Sequence, residues 1–238
     1  MKRLALAGIL ALICTGKAGA TPGLGDEIYG ATAEAGRTEA EARYHRLGGG
    51  PAGGDDVLKL EATHHLNDRL RLAAFGEFAR EGGGPRRAEE AGIEAIYTLG
   101  RVGGIDVALY GEYALGLNGH DDGLEAKLLL ERRRGPFDVR FNLTAEKALV
   151  ASEPVELSYA AAADYAVGEV RLGVEAFGDL GTFRSFLPRA AHFAGPRAAV
   201  EIEGLGPELE LSAGYLFALD RVSAQSKGQF RFGIEMEF

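Results

Sequence analysis

Apolar and polar residues alternate with a period of two in segments of roughly ten residues, and the pattern recurs to the last residue of the chain. In one segment Leu124, Ala126, Leu128 and Leu130 share a face, with Glu125, Lys127 and Glu131 on the other. In the next, Phe137, Val139, Phe141, Leu143 and Ala145 oppose Asp138, Arg140, Asn142, Thr144 and Glu146. A helix would group its apolar positions three or four apart, so these segments predict strands. The same alternation predicts strands around 58–62, 90–99, 105–113, 155–161, 170–176, 197–203, 209–217 and 229–238. Two weaker ones, Tyr29 to Ala35 and Leu70 to Phe78, bring the set to about twelve.

The connections alternate too. His65 to Asp68, Gly100 to Gly104, Arg132 to Pro136, Val167 to Glu169 and Gly204 to Pro207 are tight turns. Between them lie longer polar or glycine-rich links: Leu47 to Asp55, Glu81 to Arg87, Gly116 to Gly123, Lys147 to Pro154, Leu180 to Pro196 and Asp220 to Lys227. A strict short and long alternation is what an even-stranded membrane barrel with both termini in the periplasm requires. The predicted fold is all-β: a closed antiparallel up-and-down transmembrane barrel of about twelve strands.

The first twenty residues stand apart. Lys2 and Arg3 precede an apolar run, Leu4 to Ile13, too short to cross a bilayer as a helix, and Ala18-Gly19-Ala20 is a small-x-small cleavage site. Residues 1–20 therefore read as a cleaved signal peptide, with Ala18 and Ala20 at the cleavage site, and 21–238 as the barrel. The one cysteine, Cys14, lies inside the leader without the small preceding residue of a lipoprotein site, so the mature chain has no thiol chemistry. Removing Lys2, Arg3 and Lys17 from the 26 basic residues leaves 23 against 35 acidic ones, a net charge of −12. That excess argues against nucleic acid or anionic lipid as a general partner.

Period two alone does not say which face meets water, because a soluble barrel hides its apolar face and a membrane barrel exposes it. The leader, the link alternation and the aromatics near strand ends (Tyr97, Tyr113, Tyr165, Tyr215, Phe217) favour lipid outside and ions inside. On that assignment the lumen is lined by Lys59, Glu61, Glu94, Glu112, Glu125, Lys127, Arg140, Arg171, Glu175, Glu201, Glu210 and Arg231. The alternating end of the chain, Phe230, Phe232, Ile234, Met236 and Phe238, resembles the C-terminal recognition strand of Gram-negative outer-membrane proteins. The resemblance implies assembly by the barrel-assembly machinery and residence in the outer membrane, among phospholipid and lipopolysaccharide. Residues 124–238 further resemble an uncharacterised group of proteobacterial, transporter-like outer-membrane barrels. Gly135-Pro136-Phe137, Asn142-Leu143, Glu175-Ala176-Phe177-Gly178-Asp179, His192-Phe193-Ala194-Gly195-Pro196, Ala213-Gly214-Tyr215-Leu216-Phe217 and Gln229-Phe230-Arg231-Phe232 carry that likeness.

Chemistry follows from the lumen. Carboxylates outnumber basic residues on the inferred inner face, so passive passage of small cations or neutral solutes is expected, with no cofactor. The chain lacks the basic ladder of barrels that import acidic sugars. The alternative is that Glu and Arg pair across strands and fill a sealed, structural or surface-interaction barrel. Soft-metal handling is disfavoured, with Met236 on the lipid face and five scattered histidines. A rim hydrolase has one local candidate, His120-Asp121-Asp122, a cluster more typical of turns. The apolar link from Leu180 to Pro196, with Phe183, Arg184, Phe186, Leu187, Arg189 and His192, is expected to pack over the mouth, fold inward as a constriction, or clasp lipopolysaccharide.

Overall fold

The computed structural model describes residues 21–187, 191–204 and 206–238. The expected signal peptide, with Ala18 and Ala20, lies outside the described residues. Twelve long strands close into one antiparallel barrel: β1 (Thr38–Gly48), β2 (Asp56–Asn67), β3 (Leu70–Arg80), β4 (Arg87–Val102), β5 (Ile105–Gly116), β6 (Gly123–Arg134), β7 (Phe137–Ala148), β8 (Glu156–Val167), β9 (Val170–Thr182), β11 (Ala191–Ile202), β12 (Glu208–Asp220) and β13 (Gly228–Glu237). A two-residue strand, β10 (Ser185–Phe186), extends the tip of the β9 hairpin, and one 3-10 turn (Arg221–Ala224) lies before β13. Neighbouring long strands pair in chain order, and β13 pairs with β1 to close the sheet. Closure leaves no strand edge unpaired, which is the condition for backbone in lipid. The long strands run from 10 to 16 residues, enough to cross a hydrocarbon core when tilted.

Side chains sort as the period demands. The outward face is apolar and exposed, with Leu60, Ile93, Leu109, Leu128, Phe141, Leu172, Val174 and Phe232 among its members. Its aromatics include the edge-on pairs Phe137–Tyr165 and Tyr215–Phe230. Phe230, Phe232, Ile234, Met236 and Phe238 all belong to this outward face. Short turns gather at the end where β1 begins and β13 finishes, and longer loops gather at the other. In barrels of this type the turn end is periplasmic.

Two elements depart from expectation. Tyr29 to Ala35 is not a strand: it lies inside the barrel, with Ile28, Tyr29 and Ala31 buried. The first strand is instead Thr38–Gly48, which sequence patterning missed because its outward positions are Ala40, Ala42, Tyr44 and Arg46, too small or too polar to alternate visibly against Glu39, Glu41, Arg43 and His45. The total of twelve is preserved because one strand replaces the other. The second departure is the long link after Leu180. Most of it is strand, since β9 and β11 continue beyond their predicted ends. Phe183, Phe186 and Leu187 sit exposed at the hairpin tip, outside the lumen, while Phe193 of the same link points inward. Arg189 lies outside the described residues.

Candidate functional site: a charged lumen holding its own N-terminal segment

The residues just before β1 run down the barrel interior. Residues 23–26 sit beside Arg231, three positions into β13 from the loop end, and residues 34–36 reach His65 and Asp68 at the turn end. The segment has no sheet partner, so inward side chains satisfy its backbone. Gly25 N–H donates to His45 Nδ1 at 2.9 Å, and Arg231 donates to the carbonyls of Gly23 and Asp26. Asn142 grips Tyr29 at both ends of its amide: Tyr29 N–H donates to Oδ1 at 2.8 Å and Nδ2 donates to Tyr29 C=O at 3.0 Å. Below it, Ala31 N–H donates to Glu131 Oε2 at 2.8 Å, Arg71 donates to Gly30 C=O at 2.7 Å, and Thr98 Oγ1 donates to Ala31 C=O at 2.8 Å. Glu34 N–H donates to His65 Nδ1 at 2.9 Å.

Apolar packing seats the same segment. Ile28 and Leu24 lie against Leu47, Phe177, Phe193 and Leu216, which point inward from β1, β9, β11 and β12. Tyr29 and Ala31 pack with Ile96, Tyr110 and Leu129 across the barrel. Inward phenylalanines and leucines would be unfavourable against water in an open bore, so these positions are shaped for the segment they cover. At the turn end the lumen is hollow and lined by polar groups: a cavity of about 660 Å3 extends past residues 29–37 between Glu61, Arg71, Asp138, Asp164, Arg171 and Glu208.

The twelve charged positions singled out from sequence all lie on the inward face, and each has partners. Lys59 Nζ is 3.6 Å from Glu112, Lys127 is 2.9 Å from Glu125, and Arg171 bridges Glu201 and Glu210. Arg140 meets Asp138 at 2.7 Å and Glu131 at 3.7 Å. Glu175 receives Arg197 and Arg231, each at 3.1 Å. Glu61 accepts from Arg43 at 2.6 Å, and Glu94 accepts from the Tyr110 hydroxyl at 2.6 Å and the Tyr29 hydroxyl at 3.1 Å. Lys59 and Lys127 also lie over aromatic faces, Lys59 on Phe75 at 3.9 Å and Lys127 on Tyr29 at 4.9 Å.

Strand register arranges the carboxylates in rows. Glu94, Glu112, Glu125, Glu146 and Glu156 are direct cross-strand partners on the successive strands β4 to β8. Glu61, Glu41, Glu235, Glu210 and Glu201 do the same across β2, β1, β13, β12 and β11. A third, shorter row joins Glu39, Glu237 and Glu208. Like charges placed directly opposite destabilise a sheet by a few tenths of a kcal/mol or more per pair, roughly. Arg37, Arg43, Lys59, Lys127 and Arg171 reduce that repulsion by ion-pairing with Glu41, Glu61, Glu112, Glu125, Glu201, Glu210 and Glu235. Neither the rows nor the gripping residues Asn142, Glu131 and His45 stand out in sequence, because their meaning depends on register and on what fills the bore.

The remaining candidates are accounted for locally. Carboxylate oxygens of Glu27, Glu41 and Glu61 lie within 4.8 Å of one another, but Arg43 donates to all three, placing a guanidinium where a cation would sit. The histidines are dispersed: His45 and His65 hold the N-terminal segment, His64 meets Thr38, and His192 meets Tyr159. At the rim, Asp122 accepts from Tyr113 and from Gly116 N–H, and His120 lies 3.7 Å from Glu89, an arrangement that closes the loop.

No family model matches the sequence, and no curated protein is similar to it. Solved structures do resemble the fold. A KdgM porin aligns over 84% of this chain and 99% of its own, at 11% identity and a TM-score of 0.58. A KdgM porin in complex with disordered oligogalacturonate aligns with a TM-score of 0.60 at 10% identity, again over 84% and 99%. A NanC porin aligns at 0.55 and 10% identity, over 84% of this chain and 98% of its own. The chain shares the closed β-barrel fold of these porins. At these identities the likeness extends to architecture alone.

Proposed function

We propose that this barrel is a porin-like outer-membrane channel that passes small cations and neutral solutes passively, and that its N-terminal segment governs the passage. The observation that carries this reading is the pair of glutamate rows across β1, β2, β4 to β8 and β11 to β13. Rings and rows of carboxylates favour cations by replacing part of their hydration shell and excluding anions. A bore built for acidic sugars would instead present rows of arginine and lysine. The polar cavity at the turn end supplies a vestibule, while the seated residues 23–31 obstruct the outer half. On this reading conduction requires that the segment shift aside, after which Glu112, Glu125 and Glu146 face the path. Assembly through the outward aromatics of β13 by the barrel-assembly machinery belongs to the same proposal.

Single-channel currents of the mature chain in a potassium chloride gradient test it. The reversal potential should lie toward that of potassium, and the triple change Glu112→Gln, Glu125→Gln and Glu146→Gln should move it at least halfway to zero. A reversal toward chloride, or no response to the triple change, would refute the cation pathway. A second reading, a permanently sealed structural barrel, is favoured by the apolar seat under residues 24–31. A bilayer that stays silent under every applied voltage would decide for it.

A further inference from the structure

The outward face of the barrel is apolar to the periplasmic ends of its strands. Leu66, Val102, Ile105, Val167, Val170 and Phe238 occupy those ends, all exposed. Besides the Thr38–His64 pair on β1 and β2, strand β6 departs from this by placing two full charges there. Its outward series runs Leu124, Ala126, Leu128 and Leu130, then Arg132 and Arg134. Arg133 between them turns inward to Glu131 at 2.6 Å, which confirms the parity. Arg132 stands opposite Val139, and Arg134 opposite Phe137. Both are exposed, and neither side chain has a hydrogen bond or ion pair among the described residues.

An arginine on the lipid face costs about 2–4 kcal/mol near the bilayer midplane and close to nothing at the headgroups, where a guanidinium binds phosphate through paired N–H groups. Two in succession, one residue apart on the same face, give two cations within reach of one headgroup. The Phe137–Tyr165 pair, its rings 4.8 Å apart, stands beside them at the depth where aromatic rings border headgroups. We propose that Arg132, Arg134, Phe137 and Tyr165 form a seat for one anionic phospholipid of the periplasmic leaflet. The two arginines hold the phosphate, and the aromatic pair lies along the first carbons of the acyl chains. A zwitterionic headgroup brings its own ammonium to the arginines and is disfavoured, so charge selects the lipid. The inference rests on the orientation of the barrel and not on conduction.

Native mass spectrometry of the folded mature chain tests this, with phosphatidylglycerol and phosphatidylcholine of identical acyl chains supplied together. The intact chain should retain one phosphatidylglycerol in preference to phosphatidylcholine by about thirtyfold, from the typical gain per basic residue at an anionic surface. Arg132→Gln with Arg134→Gln should bring the ratio near one, while Arg87→Gln, on the opposite rim, should leave it unchanged. Equal retention by the intact chain, or an undiminished ratio in the double variant, overturns the proposal. Should the double variant not fold, the ratio for the intact chain and for Arg134→Gln alone decides it. Retention of a soluble peptidoglycan fragment, with no lipid preference, would likewise overturn it.

Discussion

Replacing Asn142 by alanine should loosen the N-terminal segment without disturbing the sheet. Asn142 is buried on the inner face of β7, and its amide makes two hydrogen bonds to the backbone of Tyr29, at 2.8 and 3.0 Å. Its own backbone stays in the ladder opposite Leu129 and Ala160, so the strand is unaffected. Each lost bond is worth about 1 kcal/mol net. The space vacated by the amide admits water to the Tyr29 backbone, which keeps the loss near the lower end for a buried pair. Two bonds therefore amount to about 2 kcal/mol, or roughly a thirtyfold rise in the population with the segment displaced. The assay is open probability in planar bilayers at fixed voltage, with the conductance of each event recorded separately. Open probability should rise by that factor while the size of single openings stays constant, because the open path is the same. A chain lacking residues 21–34 sets the ceiling. If that truncation conducts no differently from the intact chain, the segment does not control the passage, and the reasoning from its hydrogen bonds to gating fails.

Two further outcomes follow from local geometry. A Cβ at Gly195 would collide with the carbonyl oxygen of Tyr215 and the Cα of Leu216 on the adjacent strand, so Gly195→Ala should destabilise the barrel by roughly 1–3 kcal/mol. Gly111→Ala, where nothing lies within 4 Å, is the matched control, and equal unfolding temperatures by heat-dependent gel mobility would contradict this. At the loop end, the Tyr113 hydroxyl and then the Gly116 N–H hold the Asp122 carboxylate below its ordinary pKa of 3.8. A depressed pKa means that loop anchoring is complete above the ordinary value and is lost only as pH falls through the lowered one. Hydrogen exchange at Gly116 should therefore stay protected down to pH 3.8 and open only below it; opening at mildly acidic pH would be inconsistent with that sign.

Architecture and sidedness were legible in the chain because they depend on period two and on link lengths, both local properties. Leu124 to Glu131 and Phe137 to Glu146 declare their two faces without any neighbour, and the alternation of turns and loops orders the hairpins. Where outward residues are alanines, as in Ala40 and Ala42, the local signal fades, and Tyr29 to Ala35 takes the place of the first strand in the pattern. The fate of residues 21–37 could not be read at all. An extended segment bound by side chains has the same local conformation as a strand, and only the closed barrel brings His45, Asn142, Glu131 and His65 around it from strands far apart in sequence. The glutamate rows have the same origin. Each glutamate was visible as an inward charge, but that Glu112 faces Glu125 and Glu41 faces Glu235 is a fact of register, set when the sheet closes on itself. Sequence alone thus determined which side of each clearly alternating strand is apolar, while tertiary structure decided what stands inside, because one is a property of neighbours in the chain and the other of neighbours in space.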